Sequence, residues 1–468
     1  MTPSTTLTCY SNRFTGVDTM VPLLNGEKRA YVNFDNAAST PALIAVREGV
    51  DLLLEYYASV HRGTGYKSQF ATWAYETARQ QTLQFVHADP EEHTCIFVKN
   101  STEAINKLAQ RLELHGDDVI LTSVMEHHSN DLPYRAVAET IHVDVCSDGR
   151  LDEDDFDSKL KQYAGRVRLV SISGASNVTG ILNPVHRLAE KAHAAGALFM
   201  ADCAQLAPHR SIHVGSLDQP DHFDFIVLSA HKMYAPYGSG ALIGRKDIFS
   251  HGDPDLRGGG TVEIVTLNEV HWADTPERDE AGSPNVIGAV ALALAIRELT
   301  TISMEAVAEH EAQLTAYALE RLKDIPGIRI FGDTNPTRTH TRLGVIPFLL
   351  EGKSHFLVSA ILGYEFGIGV RAGCFCAHPY LLRLLDVDSS EAEQVRDKIL
   401  AGDRSEMPGL IRISFGLYNT HAEVDRLIQA LHAIQRGAFN GRYTQDTSSG
   451  EYHPEDWSPG FDQILALT

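Results

Sequence analysis

The sequence has no uninterrupted apolar run long enough to span a bilayer. Its opening stretch, MTPSTTLTCYSNRF, lacks the charged and then apolar pattern of a secretory leader. Basic charge is not in excess: 40 Lys and Arg against 61 Asp and Glu give a net charge of −21. That balance disfavours nucleic acid and anionic membranes as partners and favours solubility. Cysteine is scarce, at six residues in 468. Cys9, Cys95, Cys146 and Cys203 lie scattered in apolar or strand-like surroundings. They read as buried, reduced thiols rather than a disulfide framework. There is no internal repeat and no low-complexity tract. These absences lead to the expectation of a soluble cytoplasmic protein, and 468 residues allow two or three domains with a substantial core.

What is present points to chemistry at strand ends. Phe225 to Leu228 is a short apolar run bounded by polar residues, the pattern of a strand covered on both faces. Ser229, His231 and Lys232 emerge at its carboxyl end, where open α/β sheets bind ligands. A lysine desolvated there loses its proton near neutral pH and can form a Schiff base with an aldehyde, although any single Lys is most often a surface residue. A second apolar run, ALFMADCAQLAP, ends in Asp202 with Gln205 one turn on. An acid about 30 residues before such a lysine suits pyridoxal phosphate, whose ring nitrogen it keeps protonated. Strand–helix–strand alternation, with Val185 to Ala195 as a helix, predicts a largely parallel sheet.

Other segments have two readings. In YVNFDNAASTP, Ser39 or Thr40 reads as a helix N-cap with Pro41 as the first helical residue. The small residues there also let backbone approach a ligand. Asn100, Ser101 and Thr102 stand at a helix N-terminus, which is either a plain cap or a phosphate cradle. His127 and His128 have no third ligand at metal-site spacing, so no metal is assigned. The pair Cys374 and Cys376 reads as structural thiols, as a metal site with only His378 nearby, or as a reactive pair whose thiol pKa is lowered by Arg371 and His378. In the reactive reading Cys374 resolves a persulfide on Cys376. Arg412 lies on a strand, where a guanidinium can grip a carboxylate with two N–H groups.

DCAQLAP followed by SAHKMYAPYGSGALIG resembles the class V aminotransferase family of fold-type I pyridoxal phosphate enzymes. Within that family the chain most resembles cysteine desulfurases with a short cysteine loop and selenocysteine lyases, from about Phe34 to Leu427. The resemblance implies an α/β large domain over residues 31–295, with a mostly parallel seven-stranded sheet flanked by helices. It implies a smaller α+β domain from residues 1–30 and 296–436 that carries the cysteine loop, and leaves 437–468 as an extension.

The resemblance also implies roles. Lys232 holds the cofactor and removes the substrate's Cα proton, Asp202 partners the ring nitrogen, and Gln205 bonds the ring oxygen. His127 stacks on the ring and moves protons. Ser101, Thr102, Ser229 and His231 hold the phosphate, together with Ser283 from a partner chain in a homodimer. Asn177 reaches both the cofactor's ring oxygen and the substrate carboxylate, which Arg412 also fixes, with Ala37 and Arg371 beside it. Cys376 attacks the sulfur of L-cysteine, releasing L-alanine and keeping a persulfide for a sulfur-acceptor protein. The sequence departs from the family at Gly65, where a histidine is usual, and at Cys374 and Phe375, where two histidines are usual. The wording Arg-x-Gly-Cys-Phe-Cys also resembles molybdenum cofactor sulfurases. A carbon–sulfur lyase, a selenocysteine lyase, a cofactor sulfurase and an idle sulfur-trafficking protein therefore stay open as alternatives.

Overall fold

The computed structural model describes residues 9–466. Residues 1–8 and 467–468, assigned above to the small domain and to the extension, lie outside the described residues. The main sheet has seven strands: β1 (His93–Val98), β2 (Val119–Ser123), β3 (Glu139–Val143), β4 (Val167–Ser173), β5 (Leu198–Asp202), β6 (Phe225–Ser229) and β7 (Gly240–Arg245). Their order across the sheet is β1-β7-β6-β5-β4-β2-β3. β7 alone runs against its neighbours, and the remaining neighbours pair in parallel. β2 and β6 are buried along their whole length, as strands covered by helices on both faces must be.

A second sheet of four antiparallel strands contains β8 (Ile328–Ile330), β9 (Val345–Leu350), β10 (Arg371–Gly373) and β11 (Leu410–Ser414), in the order β8-β9-β11-β10. It has its own apolar core, to which Val32 and Phe34 also contribute. The helices used below are α1 (Ile44–Tyr56), α2 (Tyr66–Phe85), α3 (Ser101–Arg111), α4 (Val185–Ala194), α5 (Val286–Ile302), α6 (Met304–Leu322), α7 (His355–Phe366), α8 (His378–Leu384), α9 (Ser389–Leu400) and α10 (His421–Gln435). Helix α6 starts against the core of the large sheet through Met304 and Val307, and ends against the second core through Leu314 to Leu322. No single helix among the described residues is long and apolar enough to cross a membrane.

Two sequence expectations need correction, one on a helix cap and one on the cysteines. Thr40 caps no helix: α1 begins at Ile44 after Leu43, and the Thr40 hydroxyl donates to the His231 carbonyl at 2.9 Å and accepts from the Tyr234 N–H at 2.9 Å. The reason is tertiary, since this hydroxyl satisfies the turn that follows β6. The cap of α3 is Asn100, which accepts from the Glu103 N–H at 3.0 Å and leaves the Ser101 and Thr102 hydroxyls for other partners. Cys95 and Cys203 are buried as expected, but Cys9 and Cys146 are exposed, since neither lies in a strand. All six cysteines are free.

The segment 386–407 carries the exposed helix α9. Beyond α10 the chain forms a hairpin, Tyr443–Gln445 paired with Tyr452–Pro454, that packs on α7. Glu365 on α7 accepts from the Asn440 and Gly441 N–H groups and from the Tyr443 hydroxyl, at 2.8, 2.9 and 3.0 Å.

Candidate active site

The parallel strands β1, β2, β4, β5 and β6 lead at their carboxyl ends into one cavity of about 240 Å³, with the second sheet closing the far side. From the strand ends and the α3 turn come Ser101, Thr102, His127, Asp202, Ser229 and Lys232. The adjoining turns add Ala37, Asn177, Gln205 and His231, and the second sheet with its cysteine loop adds Arg371, Cys376 and Arg412. Of the site residues expected from the sequence, only Ser283 is elsewhere. It is exposed in the turn before α5 and does not line this chain's cavity.

Lys232 follows β6 on a short 3₁₀ turn and keeps only partial exposure. Burial lowers its pKa to about 8; Asp202 opposes the shift and Arg412 adds to it. Asp202 ends β5 and accepts from the Ala204 N–H at 2.9 Å. Burial raises its pKa, against the pull of that N–H and of Lys232. Burial and the nearby Lys232 push His127 down to about 3, so its ring is neutral across the working range. Its Nδ1 accepts from the Ser129 N–H at 3.1 Å. His231 is lowered to about 4 for the same two reasons, and its Nδ1 meets the Ser39 hydroxyl at 3.3 Å.

The N-terminus of α3 is rich in hydroxyls. Ser101 donates its N–H to the Ser229 hydroxyl at 3.0 Å, and the two hydroxyls also bond each other. Thr102 pairs with Ser129, hydroxyl to hydroxyl, at 2.7 Å. Positive partial charge at a helix start and a cluster of hydroxyls suit an anionic group such as a phosphate. Gly240, paired with Ser229 at the start of β7, makes this approach possible: a Cβ there would lie 2.5 Å from the Leu228 carbonyl oxygen and 2.9 Å from the Asn100 Cα.

Arg412 is buried beneath the cavity. It donates to Asp35 at 2.9 Å and to the Asn177 carbonyl at 2.9 Å, and its Nε has no partner. A buried, unpartnered N–H on a cation is costly unless a ligand meets it, and a carboxylate is the natural partner. Arg371 shares the same aspartate, Asp35, at 3.7 Å. Gln205 donates to the Ala37 carbonyl at 2.8 Å, and the Ser414 hydroxyl accepts from the Ala37 N–H at 2.8 Å, which pins that turn against the cavity.

The cysteine loop is strained and tethered. Phe375 and Cys376 have φ of 53° and 55°, the left-handed region that side chains avoid. Three contacts hold it there: Asn177 Nδ2 donates to the Phe375 carbonyl at 2.7 Å, the His128 N–H donates to the Cys376 carbonyl at 2.8 Å, and the Arg412 guanidinium lies 4.8 Å from the Phe375 ring centre. Cys376 is thereby exposed on the cavity wall, whereas Cys374 is buried. His378 pairs with Cys374 at 2.8 Å and with His128 at 3.1 Å. The expectation of a lowered thiol pKa fails for Cys374: burial and the neighbouring Cys376 push it up to about 11.

Sequence reasoning missed Asp35, Glu126 and Ser129, and noted Phe375 only as a departure from the family pattern. Each lies within two residues of one it singled out, but their importance depends on long-range contacts. Glu126 accepts from Ser123 Oγ at 2.6 Å, Asn130 Nδ2 at 2.7 Å, and both the N–H (2.9 Å) and the hydroxyl of Ser173. It ties the turn bearing His127 to the end of β4.

The family model for aminotransferase class-V matches residues 32–427. A cysteine desulfurase of Dickeya dadantii is 34% identical over 422 residues, covering 88% of this chain and 93% of that one. The apo structure of a cysteine desulfurase from Thermococcus onnurineus superposes with a TM-score of 0.77 at 31% identity, covering 90% of this chain and 98% of that one. The cysteine desulfurase CsdA of Escherichia coli, solved in an S-sulfonic acid form, gives a TM-score of 0.76 at 28% identity, covering 92% and 98%. With a family match that spans most of its length, the chain belongs to the aminotransferase class-V family.

Proposed function

We propose that this enzyme is a cysteine desulfurase that binds pyridoxal 5'-phosphate and converts L-cysteine to L-alanine, leaving a persulfide on Cys376. The observation that carries the reading is the cavity in which an amine of lowered pKa, a buried carboxylate, a hydroxyl-lined helix N-terminus and an exposed cysteine converge. The residues fit the cofactor: the α3 start, Ser229 and His231 would hold its phosphate, Asp202 its ring nitrogen, Gln205 its ring oxygen, and Lys232 its aldehyde carbon. When bound, the cofactor withdraws electrons from the substrate's Cα.

The chain's own residues do the rest. Arg412, held rigid by Asp35, presents its guanidinium at the cavity wall to orient the substrate carboxylate, with Asn177 and Ala37 closing that side. Lys232, with a pKa near the working pH, takes the Cα proton. The neutral His127 ring would cover the cofactor face; its Nδ1 accepts from the Ser129 N–H, so its hydrogen sits on Nε2, which can donate it. The Cys376 thiolate attacks the substrate sulfur; an S–S bond forms, the Cβ–S bond breaks, and its electron pair leaves with the carbon skeleton. L-cysteine and the Cys376 thiol thus yield L-alanine and a Cys376 persulfide. Exposure of Cys376 supports delivery of that sulfur to an acceptor protein.

A homodimer is supported by apolar side chains that a monomer leaves in water: Trp73 on α2, and Ile264, Val265 and Leu267 on the hairpin before α5. Ser283 beside α5 would then serve the partner's phosphate site. Two separate apolar cores support a division near residue 295 into a large and a small domain. Free cysteines support a reducing, cytoplasmic setting. The test is product analysis with L-cysteine and a reductant. Equal amounts of alanine and sulfide support desulfuration; pyruvate and ammonia would make the protein a carbon–sulfur lyase instead.

A further inference from the structure

At the other end of β6 from Lys232 lies a cluster that this chemistry does not use. His193 on α4, His222 in the loop before β6, and Asp224 immediately before β6 bring one nitrogen of each ring and one carboxylate oxygen within 4.8 Å of one another. Asp224 is fully buried and His222 nearly so, while His193 keeps some exposure. Five strand residues at about 3.3 Å each put this cluster roughly 17 Å from the cavity.

The hydrogen bonds fix which ring atoms face inward. His193 Nδ1 lies 2.7 Å from the Pro220 carbonyl, and His222 Nδ1 lies 2.6 Å from the Gln219 carbonyl. A carbonyl only accepts, so both Nδ1 atoms carry hydrogen, and in the neutral rings the Nε2 lone pairs point at Asp224. Nε2 of His193 is 2.8 Å from Oδ2, and Nε2 of His222 is 3.4 Å from Oδ1. A lone pair facing a carboxylate at these distances repels it unless a cation stands between them. Either each ring takes a second proton, or one divalent metal ion replaces both protons at the same net charge.

The rest of the cluster resembles a prepared metal site. Each imidazole is held by a carbonyl on its far nitrogen, the arrangement that fixes tautomer and aim in metal-binding histidines. The two rings stack with centres 4.1 Å apart, so both Nε2 atoms face the same side. Asp224 Oδ2 is steadied by the Phe199 N–H at 2.7 Å. Arg245 occupies the other oxygen, Oδ1, at 3.0 Å, and its charge is shared with Asp247 at 2.6 Å. The loop that supplies His222 also lines a separate surface pocket of about 440 Å³ with His87, Asp89, His186 and His213.

We propose that His193, His222 and Asp224 form a binding site for a divalent cation of the zinc class, with water as the fourth ligand, that clamps the loop before β6 to α4. Two imidazoles and one carboxylate select zinc, nickel or cobalt over calcium or magnesium.

The test uses untagged, cofactor-loaded, full-length protein, stripped with EDTA, given ZnCl₂, and desalted before elemental analysis and a thermal melt. The expected result is one zinc retained per chain and a higher melting temperature with zinc than without. His193→Gln and His222→Gln lose both effects, while Cys374→Ser, which removes the thiol–imidazole pair of the cysteine loop, keeps them. His193 is partly exposed, so His193→Gln alone decides the matter if His222→Gln does not fold. No retained zinc in the unmodified protein, or zinc retained equally by His193→Gln, would overturn the proposal. The two rings would then be imidazolium ions that hold the loop by charge.

Discussion

Glu126 precedes the ring expected to cover the cofactor, and it is 3% exposed. Burial raises its pKa from 4.5 to about 7, with Asp202 adding to the shift and the Ser123, Ser173 and Asn130 donors opposing it. A carboxyl whose pKa is raised on folding contributes stability below its unfolded value, and that contribution is lost as pH rises through the folded value. Integrating that rise at about 1.4 kcal/mol per pH unit gives a loss of roughly 3 kcal/mol at pH 8 and under ~1 kcal/mol at pH 5. Gln at this position has the same shape and no charge. Its carbonyl can take the Ser173 and Asn130 donors while its NH₂ donates to the Ser123 hydroxyl, which turns to accept. Glu126→Gln is therefore expected to be more stable than the unmodified protein at pH 8, with an advantage that shrinks by roughly 2 kcal/mol at pH 5. Urea unfolding of both proteins at the two pH values measures this directly. A difference independent of pH, or one that grows on acidification, would refute the reasoning, because Glu126 would then titrate like an exposed carboxylate.

Two further outcomes follow from the cavity. Arg412→Lys keeps the charge but loses the planar fork that serves Asp35, Asn177 and the substrate at once; losing a charged hydrogen bond of ~1.5–3 kcal/mol lowers kcat/KM for L-cysteine roughly 10- to 100-fold, mainly through KM, as steady-state kinetics would show. Gly240→Ala drives a Cβ into the Leu228 carbonyl and the Asn100 backbone, which cannot yield without moving the α3 turn. The expected loss is about 1–3 kcal/mol, read as a lower melting temperature, accompanied by weaker retention of pyridoxal phosphate.

The parts of the fold that could be read from sequence are those written locally. The apolar runs before Asp202 and Ser229 are β5 and β6, and their register sets Ser173 beside Asp202 and Asp202 beside Val227, which gathers the strand-end residues. The glycine-punctuated stretch after Lys232 proved to be β7, the one antiparallel member, a direction that no local pattern specifies. Thr40 was misread because its partner is 191 residues away. The cysteine loop hid most: its left-handed turn and the coupling of Cys374 through His378 to His128 depend on a contact spanning 250 residues. Nor does any periodicity mark the hairpin after α10, whose partners on α7 lie 75 or more residues earlier.

The central claim is that Cys376, and not its neighbour, takes the sulfur. Product analysis with L-cysteine and a reductant, run on the unmodified protein, Cys376→Ala and Cys374→Ala, tests it most directly. The account predicts alanine and sulfide from the unmodified protein, their loss in Cys376→Ala, and their substantial retention in Cys374→Ala, whose buried thiol sits beside His378 and off the cavity wall. Alanine production indifferent to Cys376, or abolished only in Cys374→Ala, would contradict it.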